Sequence, residues 1–430
     1  MKQQNLEGAT EEIRGPYELP NGWEWVRLGN VSQINPSKKE IADISDDLEV
    51  SLVPMNAVDE EKGEIVNSEI REVRKVRKGY TYFKEGDVIF AKITPCMENG
   101  KCAIAKNLIN KLGFGSTEFH VIRSIGFILP EWVWHYLRQK QIREEATKYF
   151  TGSVGQQRVP EEFLERLLVP LPPLEEQKRI VARIEQLFSK IDEVKKLRKE
   201  ALEEAKALLP SALHQVFSKA DEKGWKWVRL GEVCNVFSGS SAPQGNKYFE
   251  GGNYPFVRVQ DLGKFGRTDN LVDTADKIND LAVKKFRLVK AQKGTIVFPK
   301  SGAAILTNNR GILGMDAFIV SHLAAVQPLN NLVISKFVYY WLCQIDMLNY
   351  IENPGYPSLK LSKIKNIQIP LPPLEEQKRI VAYLEKIQEK ALALQKLQEE
   401  TGEEVEKLRE AILHKAFTGG YNARPNLEKY

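Results

Sequence analysis

The thirteen residues PLPPLEEQKRIVA occupy Pro170–Ala182 and recur letter for letter at Pro370–Ala382. Identity over thirteen positions excludes chance, and it calls for a longer period before any local motif is read. The period is present. GWEWVRLG at Gly22–Gly29 returns as GWKWVRLG at Gly224–Gly231, and LHQVFSK at Leu213–Lys219 returns as LHKAFTG at Leu413–Gly419. GDVIFAK from Gly86 answers GTIVFPK from Gly294, and LPEWVWHYL from Leu129 answers ISKFVYYWL from Ile334. One module of roughly two hundred residues is used twice.

The repeated stretch has the form of a helix start. Pro172 and Pro173 close an extended segment, and proline in a first helical turn removes no needed donor. Glu175 and Glu176 sit where the helix dipole favours carboxylates. From there Ile180, Ile184, Leu187, Ile191 and Val194 follow a four-three spacing, matched by Ile380, Leu384, Ile387, Ala391 and Leu394. That spacing predicts a coiled-coil seam on two helices running to about Ser218 and Thr418, each roughly 65 Å long. Pro210 and Gly402 are expected to bend or soften the two arms. An apolar seam of that length needs cover, and its nearest partner is the other copy in the same chain. The expectation is an antiparallel pair related by a pseudo-twofold, with a globular module at each end.

The chain divides on this reading into an N-terminal segment at 1–21, a first module at 22–169, a central helix at 170–220, a second module at 221–369, a C-terminal helix at 370–420 and a tail at 421–430. Within the modules DVIFAKI, FHVIRS, TIVFPK and AFIVSHLAAV have strand composition, whereas PEWVWHYLRQKQIREEATKYF and VISKFVYYWLCQIDMLNYI have helical patterns. The fold class is α+β: two globular domains joined by two long antiparallel coiled-coil helices. The polar, acidic start MKQQNLEGATEEIR lacks a leader pattern, and no apolar run is long enough for a membrane span. A cytoplasmic protein with no membrane role is expected. Four cysteines without a CxxC pair and five scattered histidines indicate neither a zinc site nor a disulfide framework.

Comparison of the two copies separates scaffold from variable surface. TPCMENGKCAIAKN after Ile93 stands against SGAAILTNNRGILG after Lys300, and TGSVGQQR from Thr151 against NPGYPSLK from Asn353. Two similar holders with unlike faces suggest a target of two unlike parts. Net charge is only +5, but no acid lies between Asp280 and Asp316, where Lys284, Lys285, Arg287, Lys290, Lys293, Lys300 and Arg310 fall. Arg71, Arg74, Lys75, Arg77 and Lys78 form a second cluster interrupted only by Glu72. Such clusters suit phosphate contacts. Side chains able to match base edges fill the divergent loops. They are Thr94, Asn99, Lys101, Ser116, Thr117, Gln156, Gln157 and Arg158 in the first module, and Ser301, Thr307, Asn308, Asn309, Arg310, Ser358 and Lys360 in the second, with Lys92 also expected on the DNA.

The pattern resembles the specificity subunits of type I restriction–modification enzymes. PLPPLEEQKRIVARI with its second copy, GWEWVRLG, GWKWVRLG, ITPCMENGKCAIA, GSTEFHVIR and TGSVGQQRVP carry the resemblance, which spans essentially the whole chain. It implies two target recognition domains, each reading half of an asymmetric bipartite site on double-stranded DNA, with the paired helices setting the gap. It also implies two methyltransferase subunits docked on the helices, and restriction/translocase subunits that join for cleavage. This chain is then non-catalytic and binds no cofactor or metal itself; S-adenosylmethionine, ATP and Mg are expected on its partners.

Three other readings compete with this one. NPGY at Asn353–Tyr356 resembles an adenine-methyltransferase signature, but Gly355 replaces its proline and no glycine-rich cofactor loop precedes it. A nuclease centre could use Asp87 and Lys92, but the second copy has Thr295 in place of Asp87. A coiled-coil scaffold without DNA would explain the arms and leave the duplicated basic loops unexplained.

Overall fold

The computed structural model describes residues 13–421 apart from 154, 266, 330, 353, 354 and 356. The first twelve residues, the tail beyond 421 and most of the NPGY stretch therefore lie outside the described residues.

The two repeated motifs recur together because they pair. Glu24–Arg27 runs antiparallel to Leu168–Leu171 with Trp25 opposite Pro170, and Lys226–Arg229 pairs with Gln368–Leu371 with Trp227 opposite Pro370. Each is a two-stranded ribbon, where a proline costs no central ladder bond. Directly after it a helix of 44 residues begins, Leu174–Phe217 in the first copy and Leu374–Phe417 in the second. Pro210 lies inside the first helix. Backbone Pro173 O accepts from Glu176 N at 2.9 Å and Gln177 N at 3.0 Å, and Pro373 O does the same for Glu376 and Gln377.

The glutamine of PLPPLEEQ clamps each helix to its own module. Gln177 is fully buried; its Oε1 accepts from Leu129 N at 2.8 Å, and its Nε2 donates to Phe127 O and Pro172 O at 3.0 and 2.8 Å. Gln377 repeats this with Ile334 N, Leu332 O and Pro372 O at 2.9, 3.3 and 2.9 Å. Gln177→Leu would leave buried backbone groups unpaired, so it should cost about 1–3 kcal/mol. Denaturant unfolding of the variant checks this, and an unchanged midpoint would remove the clamp from the account.

Packing divides the chain into two compact units, one containing the residues up to Leu197 and those from Glu400 onward, the other Arg198–Glu399. The division falls inside both long helices, because each helix starts against one module's core and ends in the other unit. In the first unit Ile180, Val181 and Ile184 join a core that also holds Leu413, Ala416 and Phe417. The Phe417 ring stands edge-on to Trp132 and Tyr136, at 4.6 and 5.0 Å between centroids, and Tyr17 Oη donates to Phe417 O. In the second unit Phe217 occupies the matching socket against Phe337 and Trp341, at 5.6 and 5.0 Å.

The helices pair antiparallel within each unit. Lys195 meets Glu406 and Arg409 meets Asp192 at 3.5 Å in the first; Arg198 meets Gln398 in the second. The seam departs from the sequence reading at its outer ends. Ile180, Ile184, Ile191, Ile380, Leu384 and Ala391 are buried, Leu187 and Ile387 half-buried, but Val194 and Leu394 are 42% and 43% exposed. The inward positions there are 195, 198 and 202, so the four-residue step falls after Ile191 rather than the three-residue one. An apolar spacing of 3.5 drifts against a helix of 3.6 residues per turn, and polar Lys195 and Arg198 take the seam.

Each module is built on two sheets. In the first, Ser32–Ile34, Phe119–Ser124, Val88–Ala91 and Cys102–Ile104 form an antiparallel sheet in that order, covered by the helix Pro130–Leu137. Glu69–Glu72, Glu49–Val53, Leu112–Gly115 and Thr81–Lys84 form the other, with the middle pair parallel. In the second module Cys234–Ser238, Leu323–Pro328, Ile296–Pro299, Arg310–Leu313 and Arg267–Leu271 form one sheet. Asp276–Ile278, Tyr254–Val257, Ala317–Ile319 and Lys290–Ala291 form the other. Three expected elements are each split, the 333–351 helical pattern into the helix Ser335–Gln344 and a 3-10 turn at Met347–Tyr350. AFIVSHLAAV becomes two strands broken at Ser321–His322, and the long 130–150 helical pattern becomes Pro130–Leu137 and Lys140–Thr147. Cys102, Cys234 and Cys343 are buried and Cys96 half-buried; burial pushes the Cys102 and Cys234 thiols up to about 12.

Candidate nucleic-acid interface

The end of the strand Val88–Ala91 gathers three loops of the first module. Lys92 N donates to Glu118 O and Val159 N to Lys92 O, both at 2.9 Å, while Thr94 N donates to Gln157 O at 3.0 Å. Ile93 and Thr151 each form a bridge with Arg158. Residues 92–101, 116–118 and 151–158, far apart in sequence, thus share one edge. Arg158 anchors it through a two-pronged pair, Nε to Glu118 Oε2 at 2.8 Å and Nη2 to Oε1 at 2.7 Å, with Nη1 on Gln156 O. Hydrogen bonding from Arg158 holds the Glu118 carboxyl below the usual carboxylate range. His120 supports the edge from beneath: it is buried, its Nε2 is 2.8 Å from Val159 O, and burial lowers its pKa.

The second module repeats the backbone lattice and changes the side chains. Lys300 N donates to His322 O at 2.9 Å, Leu359 N to Lys300 O at 2.8 Å, and Gly302 N to Pro357 O at 2.9 Å, with Ser301 bridging Ser358. Position for position these are the bonds of Lys92, Val159, Thr94 and Ile93. Where the first module carries Glu118 and Arg158, the second carries His322 and Ser358, and Ser301 Oγ lies 2.6 Å from His322 Nδ1. Glu118 and His322 were not among the sequence candidates. Alignment of GSTEFHVIR with VSHLAAVQ, both leading into the same strand, is the signal that locates them.

The structure sorts the candidates. Thr117, Asn99 and Gln156 are exposed on the first edge, and Lys92, Thr94, Ser116 and Gln157 half-exposed. On the second, Ser358 is exposed and Ser301 half-exposed; Thr307 is exposed and Asn309 half-exposed on the segment that follows, and Lys360 is exposed beside Glu352 at 2.7 Å. Four candidates turn inward and are corrected here to structural roles. Lys101 is largely buried and donates to Val58 O at 2.7 Å. Arg310 is fully buried, with Nη2 on Asn308 Oδ1 and Ile345 O at 2.6 Å each, which also fixes Asn308. Arg77 donates to Ile41 O and Ile44 O at 2.9 and 2.5 Å and pairs with Asp46.

The first basic cluster is also less bare than its local sequence. Arg71 pairs with Glu69, Arg74 with Asp47 and Glu72, and Lys75 with Glu72 at 3.4 Å. Asp46 and Asp47 come from a loop about thirty residues upstream, outside any window that reads the cluster. Lys78 stays exposed. In the second cluster Lys284 and Arg287 are exposed, Lys290 pairs with Asp316, and Lys285 donates to Tyr248 Oη at 2.8 Å, which lowers the tyrosine's pKa. Asp87, weighed as a nuclease carboxylate, is buried in a two-pronged pair with Arg123 at 2.8 and 2.6 Å.

The two modules share one backbone lattice and carry different side chains at the same edge. The chain belongs to the type I restriction modification DNA specificity domain family, which matches it twice, over residues 20–204 and 222–402. The EcoAI specificity subunit of Escherichia coli is 37% identical over 297 residues, 68% of this chain and 49% of that one. The MjaIX specificity subunit of Methanocaldococcus jannaschii is 28% identical over 78% of each chain. With 49% and 39% of the EcoAI and EcoEI subunits aligned, the chain spans about half their length or less. Among solved structures, the HsdS subunit from Thermoanaerobacter tengcongensis superposes with TM-score 0.69 at 32% identity, covering 94% of this chain and 99% of that one. A chain from a structure of type I R-M complex assembly and conformational transition superposes with TM-score 0.74 at 30% identity, over 94% and 100%.

Proposed function

We propose that this chain is the DNA-specificity subunit of a type I restriction–modification complex, with recognition domains at 22–169 and 221–369 and helical arms at 170–220 and 370–420. Each domain reads one half of an asymmetric bipartite site on double-stranded DNA. The repeated backbone lattice with unlike side chains carries this reading: one scaffold holds Glu118 and Arg158 in one copy and His322 and Ser358 in the other. A target with two equal halves would need no such difference.

Base edges fall to Lys92, Thr94, Asn99, Ser116, Thr117, Gln156, Gln157 and Arg158 on one side. On the other they fall to Lys300, Ser301, Thr307, Asn309, Ser358 and Lys360, with Glu118 and His322 added to the two sets. Arg74, Lys75, Lys78, Lys284, Lys285 and Arg287 supply phosphate contacts. The chain performs no chemistry. Two methyltransferase subunits that use S-adenosylmethionine, and ATP- and Mg-dependent restriction/translocase subunits, act around it in the cytoplasm. Among the described residues no helix is long and apolar enough to cross a membrane. Exchange of residues 92–101, 116–118 and 151–158 for those of another family member tests the assignment; it should change one half-site and leave the other.

Two copies of one partner are favoured by a repeated surface. Ile125, Phe127 and Leu174 are exposed at the base of the first helix, and Leu329, Leu332 and Leu374 at the base of the second. Each patch borders its glutamine clamp, through Phe127 O and Leu332 O. Contiguous exposed apolar groups mark protein contacts. Phe127→Asp should weaken one of the two methyltransferase sites by about 30-fold and leave the other. Native mass spectrometry reads the stoichiometry, and two subunits bound as tightly as before would sink this surface.

A further inference from the structure

The first unit contains a cavity of about 700 Å³ behind its reading edge, with His135, Arg138, Arg143, Phe188 and Arg409 in its wall. Asn99, of the 92–101 loop, also lines it. The neighbouring Gly100 has φ +86°, and a Cβ there would stand 3.0 Å from Arg143 Nη1, so the guanidinium lies directly under the loop.

Four buried nitrogens in that wall are unsatisfied. His135 is 1% exposed and packed against Trp134 and Phe188 at 4.5 and 5.7 Å, and its Nε2 has no hydrogen-bond partner. Arg138 Nη1, Arg143 Nε and Arg409 Nε are buried and equally without one. Their remaining contacts hold them in place. Arg138 stacks 4.9 Å over Trp134 with Nη2 on Glu61 O, Arg143 Nη1 donates to Arg138 O, and Arg409 stacks 4.5 Å over Phe188 with Nη2 3.5 Å from Asp192 Oδ1. Burial lowers the pKa of Arg138, Arg143 and His135, and the nearby carboxylates, Asp59 toward Arg138 and Glu410 and Glu144 toward Arg143, only partly offset it for the two arginines. Glu60, Glu61, Glu144, Glu406 and Glu410 also line the cavity, but none accepts from the four unpaired nitrogens.

The repeat supplies an internal comparison. Aligned as LPEWVWHYL on ISKFVYYWL, with the helices offset by 200, His135, Arg138, Arg143 and Arg409 correspond to Tyr340, Cys343, Leu348 and Leu209. All four of those belong to, or pack against, the second unit's apolar core, and Tyr340 Oη is 3.1 Å from Gln388 Oε1. The second copy fills these positions with core side chains. The first places three guanidinium groups and a buried imidazole around open space, each with one buried nitrogen left unpaired, an arrangement that costs stability unless something accepts from those nitrogens.

We propose that this cavity binds a small free oxyanion of phosphate size. Arg138, Arg143 and Arg409 supply charge-assisted N–H donors, and His135 supplies a fourth through Nε2. Occupancy would fix Arg143 beneath Gly100 and so stiffen the loop that carries Thr94 and Asn99.

The test is thermal unfolding of the full chain in inorganic phosphate against chloride at equal ionic strength. Phosphate at a hundredfold excess over its Kd should raise the first unit's Tm by about 5 °C. Arg409→Leu with Arg143→Leu copies the residues that the second repeat packs against its core, so the variant should fold and lose the phosphate response. Equal Tm in the two salts, or the same phosphate response in the folded double variant, would overturn the proposal.

Discussion

Phe417→Ala should destabilise the first unit by about 3–5 kcal/mol, although the residue is some 250 positions or more from most of the side chains it supports. The ring sits in a socket made by Trp132 and Tyr136, is 1% exposed, and lies beside Leu413 and Ala416 in the same core. A loss of that size is a large part of the roughly 5–15 kcal/mol that holds a domain folded. The second unit's own socket is filled by Phe217, so it should keep its stability. Hydrogen exchange resolves the two. Faster exchange in the first module with unchanged protection in 224–369 is the expected pattern, and the reverse would mean that the helix ends do not serve these cores. Truncation after Thr401 should act in the same direction and more severely.

The second large effect concerns spacing. Seven residues inserted after Leu197 and seven after Glu399 lengthen both helices by ~10.5 Å and leave their faces within about 20° of register. The contacts Lys195–Glu406 and Arg198–Gln398 lie on either side of the insertions and are kept. If the arms set the gap between half-sites, the gap should grow by about 3 base pairs, at ~3.4 Å each. Both half-site sequences should stay as they are. Insertion in one helix alone misaligns the antiparallel pair and should abolish activity. An unchanged gap in the doubly lengthened chain would end the ruler role.

Much of the architecture was legible because the chain repeats itself. PLPPLEEQ announces a helix start in both copies, and its recurrence with GWEWVRLG and GWKWVRLG reflects strands that pair. What the sequence hid was long-range. Lys101, Arg310 and Arg77 have the composition of surface contacts, yet their partners are backbone carbonyls tens of residues away, and Asp46 and Asp47 enter the first basic cluster from an earlier loop. Val194 and Leu394 fell off the seam because three- and four-residue steps differ by one position, a choice local spacing does not make. Glu118 and His322 were readable from the repeat itself once the strands after them were aligned.

Base-resolution methylome sequencing of a host carrying this chain with a methyltransferase partner tests the central claim most directly. It should be run beside the 92–101, 116–118 and 151–158 exchange and a chain lacking 170–219. The account predicts adenine methylation at a single gapped, asymmetric motif, one half of which changes in the exchange while the other stays, and no methylation when the helix is deleted. A continuous motif, or a change in both halves together, would contradict two independent readers on one scaffold.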